Sequence, residues 1–454
     1  MTELAELLAC PRCDKTPLDT NRKGLHCKAC KVDFPRIADI PWLFAEPDAS
    51  LGEWRSRLHM AMQKIAKDLA AIDAELSDAQ LRALSRQRCE RHKSALLTHK
   101  DALTSLLAPV GPQLLSANFD TYLALRTRLP SDHGLHTYYA NVHRDWAWGD
   151  EENTASLQQI THVLGDNKSL GRTLVLGAGA GRLAYDIHTQ LDTELTVALD
   201  FNPMLLLVAQ KMIAGEALEL HEFPIAPHKS DDDAVLRTLK APGKSDDRLH
   251  LLFGDALRAP VAKGAFDTVV TPWLIDVITE DLPVFARRIN TLLKTDGRWI
   301  NFGSLAFNAA ERSKRYGPEE VTEIVEECGF ATPVHTEATI PYMNSPASRH
   351  GRLETVFSFA ASKSGKTSNP PRHRALPDWI VTGKEAVPLN PSFRTQAMTT
   401  QIYAFTMSLI DGKRSINEMA EVFEQQRLMP KEEAVHAIRG FLIRMFDDAG
   451  RGEL

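Results

Sequence analysis

The chain has 454 residues, 43% hydrophobic and 25% charged, which leaves room for about three folded units and excludes global disorder or a disulfide-dense scaffold. Its 53 Lys and Arg against 59 Asp and Glu give a formal charge of -6, so the molecule as a whole offers no attraction to a polyanion, although a local basic patch stays open. No stretch reaches the ~20 apolar residues of a membrane-spanning helix, and the first residues, with Glu3 and Glu6, lack the basic and apolar segments of a signal peptide; a cytoplasmic protein with no membrane partner is the expectation.

Residues 1–46 carry two Cys-x-x-Cys pairs, Cys10-Pro-Arg-Cys13 and Cys27-Lys-Ala-Cys30. Each pair brings two thiolates to one tight turn, so the four read as ligands of a structural Zn2+ in a zinc ribbon. A redox dithiol or two disulfides are the alternatives. A segment this short buries little surface, so the metal is expected to supply most of its folding free energy. The flanking Leu8-Ala-Cys-Pro-Arg-Cys13 and Lys31-Val-Asp-Phe-Pro-Arg-Ile-Ala-Asp-Ile-Pro-Trp-Leu43 resemble the small zinc-ribbon family that includes the activator subunit of several RNA and protein methyltransferases. That resemblance implies a docking or stabilising module, because a zinc ion with four cysteine ligands has no open position for substrate.

Residues 51–130 are rich in Ala, Leu, Lys, Arg and Glu with apolar residues at three- and four-residue spacing. They predict two or three amphipathic helices covering the next domain, with Ser77-Asp-Ala-Gln80 capping the second. From about 171, short apolar runs alternate with helical stretches: Thr173–Leu176, Leu195–Leu199, Leu249–Phe253, Phe266–Val270 and Gly297–Phe302. This alternation predicts an α/β fold, a Rossmann-like, mostly parallel doubly wound sheet over 131–361, with its ligand crevice at the carboxyl ends of the strands.

After the first of these strands stands Gly177-Ala-Gly-Ala-Gly-Arg182. A glycine-rich turn lets backbone approach a ligand, and the helix that follows offers free N–H groups. The next strand ends in Asp200, where an acid can take the ribose hydroxyls of a nucleoside cofactor. The spacing G-x-G-x-G departs from the dinucleotide fingerprint of a dehydrogenase, and Gly254-Asp-Ala256 sets a second acid where adenine would lie. Together these resemble class I methyltransferase motifs.

Arg144-Asp-Trp146, Leu176-Gly-Ala-Gly-Ala-Gly-Arg182, Gly254-Asp255, Val269-Val-Thr-Pro-Trp-Leu-Ile-Asp276 and Trp299-Ile-Asn-Phe-Gly303 resemble, in order and spacing, the carnosine N-methyltransferase family. For residues of about 130–360 the resemblance implies an S-adenosyl-L-methionine-dependent N-methyltransferase acting on an imidazole nitrogen of a small histidine derivative or histidine-containing peptide. It implies that Arg144 holds the cofactor carboxylate, unless it is a surface ion pair. Gly177, Gly179, Gly181 and Arg182 would bind the methionine part, with Asp200 on the ribose and Asp255 near the adenine. Asp276 matches the substrate carboxylate and is the catalytic candidate, a helix N-cap being the alternative. Trp273, Tyr342 and Asn344 would bind substrate, the aromatics being core otherwise. Asn308, standing where the family has a histidine, would bind substrate in its place, which puts carnosine itself in question. Other readings are a methyltransferase for another acceptor such as RNA or protein, or a non-catalytic cofactor-binding regulator; the acidic charge and the lack of an aromatic-basic strip argue against nucleic acid.

Residues 362–378, polar, basic and proline-containing, read as a linker. Residues 379–454 read as a small helical unit, and Ile402-Tyr-Ala-Phe-Thr-Met-Ser-Leu-Ile-Asp-Gly-Lys-Arg-Ser-Ile416 resembles PqqD-like winged-helix domains, which implies a peptide or protein partner bound by strand addition. A plain helical cap is the alternative.

Overall fold

The computed structural model describes residues 2–22, 24–111, 138–373, 379–380 and 383–448. Parts of the expected helical segment (112–130), catalytic domain (131–137) and linker (374–378), and the last residues of the terminal unit, lie outside them. The chain divides into two units, 1–375 and 376–454. No helix among the described residues is long and apolar enough to cross a membrane.

A short helix α1 (Thr2–Leu7) leads into β1 (Asp19–Asn21), β2 (Gly24–Cys27) and β3 (Val32–Phe34), paired antiparallel in that order, then into the two-residue strands β4 (Arg36–Ile37) and β5 (Ile40–Pro41). Two long helices follow, α2 (Pro47–Leu76) and α3 (Ala83–Leu107). The Ser77 signature ends the first helix instead of starting the second. Ser77 is the C-cap of α2, its hydroxyl donating to the carbonyl of Ala74, and Arg82 is the N-cap of α3. Ser and Asp serve turns as well as caps, and here Asp78 closes the turn by accepting from the N–H of Gln80.

Next come α4 (Tyr139–His143), a π-helical turn (Arg144–Trp148) and α5 (Asp150–Leu164). The sheet is built from β6 (Ser169–Leu176), β7 (Asp192–Asp200), β10 (Leu249–Phe253), β11 (Phe266–Pro272), β12 (Leu293–Gly303), β13 (Val334–Tyr342) and β14 (Arg352–Ser362), in the order β10-β7-β6-β11-β12-β14-β13. Strands β6, β7, β10, β11 and β12 run parallel, and β14 is antiparallel to β12 and β13. All five predicted strands are present. The β13–β14 hairpin and a separate antiparallel pair, β8 (Ala217–Glu222) with β9 (Val235–Lys240), lie outside the expected strands; β8, β9 and β13 are half-exposed runs that look like ordinary surface sequence, whereas β14 is buried over Val356–Phe359. The helices that accompany the sheet are α6 (Arg182–Gln190), α7 (Pro203–Ile213), α8 (Leu282–Leu292) and α9 (Pro318–Glu327).

Alternation along the strands explains the layering. Val175, Ala198 and Val270 join one apolar core with α2, α3 and α7, while Leu174, Leu176, Val197 and Val269 join another with α8, α9 and the cysteine module. Leu8, Leu25, Phe34 and Leu43 of that module belong to the second core. The ribbon's apolar residues are thus buried against the sheet, a source of stability beside any metal in the cysteine cluster.

Described linker residues are held against the first unit. Arg258 donates to the carbonyl of His373, Arg288 to that of Pro371, and Arg372 pairs with Asp14 at 3.1 Å. Among the described residues of the second unit, the helices α10 (Pro391–Ser408), α11 (Ile416–Gln425) and α12 (Lys431–Asp448) accompany a core of Leu409, Met419, Ala420, Phe423, Ala434 and Ile438. Ser415 caps α11 through a reciprocal bond with Glu418. Its described residues contain no strand, so the edge expected for peptide addition is not found among them.

Candidate functional site

The strand order reverses between β6 and β11, and a cleft of about 330 Å³ opens at their carboxyl ends. Its walls bring together Gly177, Gly179, Asp200, Trp273, Asp276, Arg144 and Tyr342. The walls formed by the described residues do not include Gly181, Arg182, Asp255, Asn308 or Asn344.

The three glycines have different tasks. Gly177, Gly179 and Gly181 all take positive φ, 73°, 60° and 89°, which side chains rarely adopt. A Cβ at Gly179 meets no atom within 4 Å, so this glycine leaves open space in the cleft. A Cβ at Gly181 falls 2.9 Å from the Cβ of Ala209; that glycine lets α6 and α7 approach. Arg182 turns away too: it pairs with Asp186 at 2.9 Å and donates to the carbonyl of Asp145. Its placement follows from being the first residue of α6, one turn from Asp186.

Asp200 ends β7 facing this turn. Its Oδ2 accepts from the N–H of Gly179 at 2.8 Å and its Oδ1 from that of Asn202 at 2.8 Å. Burial pushes its pKa up to about 6, with the backbone N–H groups opposing. Asp255 instead accepts from the N–H of Leu257 and caps the short turn Ala256–Arg258. Burial raises its pKa also.

Arg144 sits in the π-helical turn, a feature frequent at functional sites. It is no surface ion pair: 12% of its side chain is exposed, with Asp145 at 2.7 Å and Glu152 at 2.9 Å. Burial opposes its charge, but the two carboxylates outweigh it and hold the guanidinium protonated. Glu152 also accepts from the N–H of Met343 at 2.7 Å, tying α5 to the segment after Tyr342. Trp146 donates to the carbonyl of Ala180 at 2.8 Å, docking the same turn on the glycine loop.

At the other end, Trp273 takes φ 50°, a strained conformation for a bulky residue. It is held by its N–H to the carbonyl of Phe302 at 2.7 Å, and a Cβ at Gly303 would stand 2.9 Å from its backbone. Its ring lies 4.8 Å from that of Tyr342. Asp276 is not a helix N-cap, since that position before α8 belongs to Asp281. Its Oδ2 accepts from the Ser304 hydroxyl at 2.5 Å and the Ala306 N–H at 3.0 Å; among the described residues its Oδ1 has no partner. Asn308 and Asn344 lie off this cleft, and the Oδ1 of Asn344 lies against Gly351.

The sequence reading did not single out Tyr138, Glu152, Ser304 or Arg352, all lining the cleft. Glu152 looks like an ordinary first-turn acid of α5, and Ser304 and Arg352 reach the cleft only through the pairing of β12, β14 and β13.

The four predicted metal ligands meet: the sulfurs of Cys10, Cys13, Cys27 and Cys30 lie within 4.8 Å of one another. Cys13 and Cys27 are 3.6 Å apart and Cys10 and Cys30 4.0 Å, close to the ~3.8 Å edge of a tetrahedron with Zn–S near 2.3 Å. None is in a disulfide. The set can hold a metal ion and suits zinc. The module also brackets the loop that carries Asp255. The N–H of Leu43 donates to Phe253, that of Ala9 to Pro260, and that of Ala262 to Leu7.

Among curated proteins, carnosine N-methyltransferase of Dictyostelium discoideum is 27% identical over 171 residues, covering 34% of this chain and 36% of that protein. The chain thus spans about a third of the relative's length. Solved structures that align include Haemonchus contortus phosphoethanolamine N-methyltransferase 2 (16% identity, TM-score 0.34, 51% of this chain and 58% of that one). Another is the Bradyrhizobium japonicum N-methyltransferase NodS with S-adenosyl-L-homocysteine (13%, 0.32, 50% and 99%). At these TM-scores no detail of a site transfers. The profile of the carnosine N-methyltransferase family, in contrast, matches residues 131–361, the stretch that contains all the cleft residues above; the chain belongs to the carnosine N-methyltransferase family.

Proposed function

We propose that the chain is an S-adenosyl-L-methionine-dependent N-methyltransferase that methylates an imidazole nitrogen of a histidine derivative or a histidine-containing peptide. The observation that carries this reading is Asp276: a buried carboxylate whose Oδ2 is saturated by Ser304 and Ala306 and whose Oδ1 is unpartnered among the described residues, in one cleft with the glycine turn and Asp200. When bound, S-adenosyl-L-methionine supplies an electrophilic methyl group on a sulfonium sulfur. Gly177 and Gly179 would hold its amino-acid part and Asp200 its ribose. The open space at Gly179, which any side chain would fill, fits such a group.

Attack requires an imidazole nitrogen with a free lone pair. Imidazole has a reference pKa of about 6.5, so much of it is neutral near pH 7. Asp276 Oδ1 accepts the N–H of the second ring nitrogen, selects that tautomer and aims the first nitrogen. As methylation makes the ring cationic, the same carboxylate stabilises the charge that develops. The cleft lining carries four carboxyl groups (Asp145, Glu152, Asp200, Asp276) and two guanidinium groups (Arg144, Arg352), a formal charge of -2 that favours cationic ligands. Trp273 and Tyr342 offer ring faces for the same purpose.

The test is methyl transfer from labelled S-adenosyl-L-methionine to imidazole acceptors and RNA, by the wild type and Asp276→Asn. The amide should lower turnover by about 10²-fold or more while cofactor Kd stays within about twofold. Unchanged turnover overturns the role of Asp276, and label appearing only in RNA overturns the imidazole reading.

A further inference from the structure

One cation of the cleft has no task in the reaction above. Arg352 opens β14 directly opposite Tyr342, the last residue of β13, and its guanidinium lies over the Tyr342 ring, 4.4 Å from the centroid. Its side chain is 59% exposed, and its Nε pairs with Glu354 at 2.8 Å. Among the described residues, no protein group bonds its two Nη atoms. Arg144, the other cation of the cleft, is buried and neutralised by two carboxylates. The two arginines therefore differ in kind: Arg144 holds the architecture together, while Arg352 presents a planar N–H fork at the rim.

The neighbours of Arg352 give that fork a direction. From Arg352 the rings of Tyr342 and then Trp273 lead inward, and Asp276 stands three residues after Trp273 in the same cleft. An acid that accepts an N–H thus sits at the buried end of an aromatic wall and a guanidinium at its open end. That polarity is complementary to an acceptor whose imidazole enters first and whose opposite end is anionic. The hairpin is also fixed in place, since Glu152 joins the N–H of Met343 to Arg144.

We propose that Arg352 is a specificity-determining residue that binds the carboxylate of the methyl acceptor. The inference rests on the imidazole reading above. A carboxylate meeting the two Nη groups makes a charge-assisted, two-point contact, which a carboxamide of the same shape cannot reproduce. Such a contact adds about ten- to a hundredfold in acceptor preference.

The experiment compares a histidine derivative as free acid and as carboxamide in the wild type, Arg352→Gln and Arg352→Lys, with cofactor Kd and melting temperature measured on each protein. The wild type should prefer the acid at least tenfold in kcat/KM, expressed mainly in KM. Arg352→Gln should reduce that preference to within about twofold, and Arg352→Lys should keep part of it, with cofactor Kd and melting unchanged in both. Equal use of acid and amide by the wild type overturns the carboxylate anchor alone, as does a preference that survives in Arg352→Gln. Weakened cofactor Kd in Arg352→Gln also overturns it, because the arginine would then serve the cofactor. Failure of the wild type to methylate either imidazole compound overturns the imidazole reading and the anchor with it.

Discussion

At the N-terminal end, Leu8, Leu25, Phe34 and Leu43 share one apolar core with β6, β7 and β11, whereas at the C-terminal end Leu409, Met419, Phe423 and Ile438 form a core of their own. Both ends are small modules, yet the first is part of the sheet's packing and the second is a separate unit. The backbone repeats the contrast. Leu43 bonds to Phe253 at the edge strand β10, and Leu7 and Ala9 bond to the far side of the 254–262 loop. A metal in the cysteine cluster would thus stabilise more than its own ribbon. The lesson is that a four-cysteine motif identifies a ligand set but not what the resulting module supports.

The comparison breaks most visibly if the metal is removed. Chelation, or Cys27→Ser, should lower the melting of the first unit by on the order of 10 °C, since losing several kcal/mol shifts a domain of this size by roughly 2–4 °C per kcal/mol. Cofactor affinity should fall with it as Phe253, the partner of Asp200 in the β10–β7 pair, loses its bond from Leu43, while the transition of the second unit stays put. Differential scanning calorimetry with a cofactor titration reads both, and unchanged cofactor binding in the metal-free protein would separate the ribbon from the site. The converse change is Phe423→Ala, buried in the core of the second unit. Truncating a core phenylalanine costs about 3–5 kcal/mol, enough to unfold so small a unit, and cofactor binding should remain within about twofold. A lower melting of the first unit in that variant would contradict the independence of the two cores.

A smaller effect sharpens the same contrast through pH. Burial raises the Asp200 pKa to about 6, so in the free protein this group removes stability as pH rises from its unfolded value near 4 through about 6. Donation from ribose hydroxyls favours the ionised form, so cofactor binding tightens as pH rises, by roughly tenfold between pH 5 and 7. Asp200→Asn should flatten that profile. Deleting residues 376–454 should leave it unchanged, and a profile that moves on deletion would join the second unit to the site.

Much of the site could be read along the chain because its parts are local. The glycine turn, Asp200 at the end of the next strand and the two cysteine pairs are each a few consecutive residues with one physical use. What escaped reading depends on pairing between distant segments. Glu152 gains its importance by meeting Arg144 and the backbone of Met343, and Ser304 by standing after β12 beside the turn that holds Asp276. Residues expected at the cleft on motif position alone, Arg182 and Asp255, are drawn off by nearer partners, Asp186 and the N–H of Leu257. A local ion pair or cap forms without loop closure, so it wins over a distant ligand contact unless packing forbids it.

Sequence by itself determined the alternating strands and helices, the ligand set of four cysteines and the turn at Gly177 and Gly179, since these follow from periodicity, side-chain chemistry and permitted backbone angles. Only the tertiary structure decided that the ribbon merges with the sheet, that Asp281 and not Asp276 stands at the N-cap position of α8, and that Arg352 faces the cleft across the ring of Tyr342. Those outcomes depend on which apolar faces and unpaired backbone groups meet in space, and no local stretch of sequence contains both partners.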